Sequence, residues 1–86
     1  METLQELSKT ISKLKSDKEV YGFLTELLTE SEINVLSKRW RILKLLQSGT
    51  TQRQIAKELQ VSLCKVTRGA KILNNKKAVI TKILEG

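Results

Sequence analysis

Arginine and lysine supply most of the chemistry in this sequence, and they are unevenly placed. Residues 1–37 carry four lysines against seven acids, a net charge of −3, whereas residues 38–86 carry twelve Lys and Arg against Glu58 and Glu85, a net of +10. Such clustering is the electrostatic footprint of a phosphate backbone, or of an acidic partner. The most informative spacing is in TQRQIAKELQVSLCKVTRG, Thr51 to Gly69. There Gln52, Arg53 and Lys57 sit on one short helix, placed to grip phosphates partly through the helix N-terminus. Ser62, Leu63, Cys64, Lys65 and Thr67 occupy the start of the next helix, the end that enters a major groove, with Lys71 near the DNA backbone. Cys64 either touches a base edge or a thymine methyl, or is simply a small residue tolerated there.

The same inventory argues against catalysis. With no histidine and one cysteine, the chain has no disulfide framework, no Cys/His zinc site and no nucleophile–base pair for hydrolysis. A binding protein without metal or organic cofactor is expected, not an enzyme. No apolar run approaches the roughly 18 residues of a membrane span, and METLQELSKT lacks the apolar centre of a signal peptide. The expectation is a cytoplasmic protein with no membrane partner.

The elements that must position these groups are helices. There is no proline, there is one each of Phe, Trp and Tyr, and apolar residues recur three and four apart rather than alternating. Leu4, Leu7, Ile11 and Leu14 make one amphipathic face. Ser16 with Glu19 is a capping box that opens a second helix bearing Val20, Phe23, Leu24, Leu27 and Leu28. Thr29 with Glu32 repeats the device before a long helix with Ile33, Leu36, Trp40, Leu43 and Leu46, which Gly49 ends in a left-handed conformation. Thr51 with Gln54 caps the next helix. Asn74 and Asn75 read as a loop, and Val79, Ile80, Ile83 and Leu84 as a last helix. The fold class is therefore all-α, one domain over residues 1–86 with about six helices.

Within it, Ile55, Ala56, Leu59, Val61, Val66 and Gly69 have the spacing of a helix-turn-helix over about residues 52–73. Ala56 is small where the two helices cross, Val61 plugs the turn and Val66 anchors the second helix to the first. The usual turn glycine is replaced by Gln60, at a cost of about 1–2 kcal/mol for the left-handed conformation. Chains this short gain from pairing with a second subunit, and the apolar faces of the first three helices are too extensive for one small core, so a homodimer is expected.

LTESEINVL, followed by a basic helix and the two-helix unit, loosely resembles sigma-factor and response-regulator DNA-binding regions. SKRWRILKLLQSG, containing Arg39, and QVSLCKVTRGAKIL, containing Arg68, together with LLTESE, resemble the Trp repressor family more specifically, firmly from Phe23 to about Leu73. The resemblance implies an intertwined all-α dimer, a double-stranded DNA operator, and a small-molecule effector, L-tryptophan, acting as corepressor between Arg39 and Arg68. It implies further that Arg68 meets the ligand's carboxylate and that the ligand packs against Gly69. Thr29 and the carbonyl of Leu28 would form the helix end that a partner subunit offers to the ligand's polar head.

By residue type alone, Arg68 is equally a phosphate contact and Arg39 a surface charge. The chain departs from the family pattern at Ala70, Lys71 and Ile72, where a serine, an asparagine and a small polar residue are common; the missing hydroxyl at Ile72 removes a contact for an ammonium. Trp40 either packs in the dimer core or protrudes into the ligand cleft. Two rival readings stand beside the corepressor-dependent repressor: a related DNA-binding regulator that needs no ligand, and a sigma-like protein-interaction module that uses its basic face on an acidic partner.

Overall fold

The computed structural model describes residues 2–86 as six helices: α1 (Glu2–Ser12), α2 (Asp17–Leu27), α3 (Glu30–Gln47), α4 (Gln52–Leu59), α5 (Leu63–Asn74) and α6 (Val79–Glu85). There is no strand among the described residues, so the all-α class holds. By its contacts the chain falls into two compact units, with the boundary between Ile33 and Asn34, inside α3. The sequence was read as one domain.

Helix ends follow the local chemistry. Ser16 Oγ accepts from Glu19 N at 3.1 Å, while the Glu19 carboxylate accepts from Lys15 N at 2.7 Å, one residue further back than in a standard capping box. At α3 the box is complete: Glu32 N donates to Thr29 Oγ1 at 3.1 Å and Thr29 N donates to Glu32 Oε1 at 2.9 Å. These bonds, first from the Thr29 backbone and then from its hydroxyl, hold the Glu32 carboxyl below its ordinary range. Gly49 has φ +93°. Around it Thr50 N donates to Leu45 O and Gly49 N to Leu46 O, the paired bonds of a Schellman motif.

In the first unit, α1 and α2 contain no buried residue. Leu4 and Leu27 lie exposed, as does Tyr21. The second unit has a true core, in which Ile42 of α3, Ile55 of α4 and Val66 of α5 are at most 2% exposed, with Leu45, Leu46, Ala56, Leu59 and Val61 packed around them. Ile55, Val61 and Val66 thus take the places their helix-turn-helix spacing implied.

Two details at the C-terminal end differ from the sequence reading. Asn74 is the last residue of α5, not part of a loop; the turn begins at Asn75, whose N–H donates to Ile72 O and whose Oδ1 accepts from Lys77 N. In α6 the buried residue is Thr81, while Val79 and Ile83 are exposed. The reason is a hydrogen bond. Thr81 Oγ1 donates to Ile72 O at 2.9 Å and so docks α6 on α5.

Candidate nucleic-acid interface and ligand cleft

Helices α4 and α5 pack as a helix-turn-helix. Gln60 takes φ 55° and ψ 49° at the turn, a left-handed conformation reached without glycine. Its N–H and that of Val61 both close on Ala56 O. Thr51 Oγ1 caps α4 by accepting from Gln54 N at 3.2 Å, and Ser62 Oγ caps α5 by accepting from Lys65 N at 3.4 Å.

The expected DNA-contacting residues separate into groups. Arg53 and Lys57, four apart on α4, are exposed on one face. On α5, at roughly 100° per residue, Cys64, Arg68 and Lys71 share the outward face, and all three are exposed. Leu63, in the first turn of α5, is 48% exposed. An aliphatic side chain left out of the core there matches contact with a thymine methyl rather than a packing role. Gln52 and Thr67 are half-buried and hydrogen-bonded to each other at 3.1 Å, so they join the two helices instead of standing free.

Arg39 and Arg68 line one open cleft of about 600 Å³, built entirely from the second unit. Arg39 and Trp40 enter it from α3, Lys65, Arg68 and Ile72 from α5, and Ile80 from α6. Lys65, expected at a base edge, therefore faces the cleft as well; with Arg68, Gly69 and Ile72 it falls at i, i+3, i+4 and i+7, a signal present in the sequence. No such signal marks Ile80, whose place depends on how α6 docks. Trp40 lines the cleft while 43% exposed.

Gly69 also lines the cleft, but its lack of a side chain has a packing cause. A Cβ there would lie 3.0 Å from Ile42 Cγ2 and 3.3 Å from Leu46 Cδ1, so glycine is what lets α5 approach α3. Leu28 and Thr29 belong to the first unit. Leu28 N–H closes α2 on Leu24 O, and Thr29 is engaged in the α3 cap described above.

Electrostatically the second unit is strongly cationic. Lys76–Glu85, at 2.9 Å, is the one ion pair among the described residues, and both side chains are solvated. The other basic groups are left with their charge uncompensated by direct pairing, which favours a polyanion.

The sequence model of the Trp repressor protein family matches residues 2–86. The chain belongs to the Trp repressor family. It is 40% identical over 65 residues to a Trp operon repressor homolog of Xylella fastidiosa (strain M23), covering 74% of this chain and 71% of that protein. It is also 32% identical over 71 residues to the uncharacterized protein YerC of Bacillus subtilis (strain 168), covering 83% of this chain and 68% of that one. No solved structure matches significantly. Trp repressors are DNA-binding transcription regulators rather than enzymes, and the helix-turn-helix of this member carries that role. Among the described residues no helix is long and apolar enough to cross a membrane.

Proposed function

We propose that the chain is a homodimeric, sequence-specific repressor whose corepressor, L-tryptophan or a related small molecule, binds between Arg39 and Arg68. The observation that carries this reading is that one wall of the cleft is the recognition helix itself. Arg39 comes from α3 and Arg68 from α5. A ligand lodged there bears directly on the angle of α5. Guanidinium groups hold an aromatic ring by cation–π attraction, worth about 0.5–2 kcal/mol each, and a carboxylate by a two-pronged hydrogen bond. For such a ligand to act as corepressor it must bind the DNA-competent orientation of α5 better than the other.

Dimerisation is supported by the first unit's lack of any buried side chain and by exposed apolar residues along α3, namely Val35, Leu36 and Trp40. A second copy that covers them would complete the core. In a two-fold dimer the recognition helices enter successive major grooves about 34 Å apart, the spacing of helix-turn-helix dimers generally, the Trp repressor among them.

A second reading has its own support. With no ligand present, α5 already lies so close to α3 that Gly69 has no room for a methyl group. A recognition helix held that firmly can read DNA without a small molecule. Titration of operator DNA with and without L-tryptophan separates the two. The corepressor reading expects tighter binding with tryptophan, and unchanged affinity favours the ligand-independent regulator. Sedimentation checks the assembly, with about 20 kDa expected for two copies of the 9.8 kDa chain.

A further inference from the structure

We propose that the cleft selects an apolar, preferably aromatic, monocarboxylate that carries no ammonium group. This rests on the reading of the cleft as an effector site and specifies the class of effector. Three cations, Arg39, Lys65 and Arg68, line the cleft from two helices, and among the described residues no Asp or Glu does. Trp40, Ile72 and Ile80 supply apolar wall. Charge and surface therefore match a molecule with one anionic end and an apolar body.

A zwitterionic amino acid fits the same space less well for a geometric reason. Its ammonium sits on the carbon that bears its carboxylate, so wherever the carboxylate meets an arginine the ammonium is brought among the same cations. The acceptors it would need are scarce. Ser37 provides the only side-chain hydroxyl in the lining, and Ile72 and Ile80 have no polar side-chain atom. The Ile72 carbonyl already accepts two hydrogen bonds, from Thr81 Oγ1 at 2.9 Å and from Asn75 N at 3.1 Å, which fills both its lone pairs. An ammonium in this cleft loses its water and gains like charges with little hydrogen bonding in return.

The test is calorimetry on the full chain with three ligands that share one ring system: indole-3-propionate, L-tryptophan and tryptamine. The expected result is that indole-3-propionate binds at least tenfold more tightly than L-tryptophan, a difference of about 1.4 kcal/mol, and that tryptamine gives no heat. Added salt should weaken the binding of the acid, because the cations are exposed and screened. Arg39→Gln and Arg68→Gln, checked for an unchanged melting temperature, should each lose the acid. If L-tryptophan binds as tightly as indole-3-propionate or more so, the proposal is overturned while the effector-site reading stands. If none of the three binds, or if neither arginine variant affects the acid, both are overturned.

Discussion

Thr67 Oγ1 lies 3.1 Å from Gln52 Oε1, so the first residue of α4 is tied to the second turn of α5. The same hydroxyl is 3.0 Å from Leu63 O. One proton cannot serve both acceptors. With the Gln52 amide turned so that its nitrogen donates to Thr67, the hydroxyl donates to Leu63 and every group is satisfied. The bond fixes the two reading helices to each other, which is why these residues matter to DNA binding without touching a base. Thr67→Val should cost about 0.5–1.5 kcal/mol in urea unfolding and weaken all DNA sequences by a similar factor. A change of base preference with unchanged stability would instead make Thr67 a base contact.

Gly69→Ala sets two effects against each other. Alanine gains about 1 kcal/mol of helix propensity over glycine, while a methyl group 3.0 Å from Ile42 Cγ2 and 3.3 Å from Leu46 Cδ1 forces overpacking, which typically costs about 1–3 kcal/mol. Both neighbours belong to the packed core or its border, so the clash should prevail. A net loss of stability is expected in thermal unfolding. Because the displaced element is α5, operator affinity should fall too.

Arg53 and Lys57 form an exposed basic pair on α4, and Lys57→Ala should weaken every DNA sequence alike. Each lost phosphate contact lowers the slope of log K against log salt by about 0.9. Binding measured at several salt concentrations should therefore show a shallower line for the variant, and an unchanged slope would remove Lys57 from the phosphate contacts.

The cap of α3 should be sensitive to acid. The Glu32 carboxyl is held below its ordinary range by the Thr29 backbone and hydroxyl. A carboxylate whose folded pKa is lowered stabilises the protein above its unfolded pKa, near 4.3 for glutamate, and that contribution disappears as pH falls through the lower folded value. Glu32→Gln should flatten the pH dependence of stability in that acidic range, leaving the neutral range nearly unaltered apart from the weaker neutral cap. If the variant loses stability on acidification as steeply as the parent, the Thr29–Glu32 bonds are not its source.

What the sequence determined by itself is local. Ser16, Thr29, Thr51 and Ser62 announce the starts of their helices because each cap is made with a residue three positions on, and Gln60 and Gly49 mark turns whose hydrogen bonds span four or five residues. The helix-turn-helix was legible for the same reason, since Ile55 and Val66 obey one helical spacing each and a short turn leaves their helices few ways to cross. The pairing of Arg39 with Arg68 was reached by resemblance, not by spacing. Tertiary structure alone decided the rest: that Lys65 joins the cleft, that Thr67 bonds Gln52, that Gly69 is small for the sake of Ile42 and Leu46, and that Thr81 rather than Val79 or Ile83 is buried. Each of these joins residues on different helices or depends on how those helices pack. Apolar periodicity names the face a helix buries, but the angle and depth at which two faces meet arise from all their side chains together, and a polar residue such as Thr81 goes inside when a carbonyl on the facing helix accepts its hydroxyl.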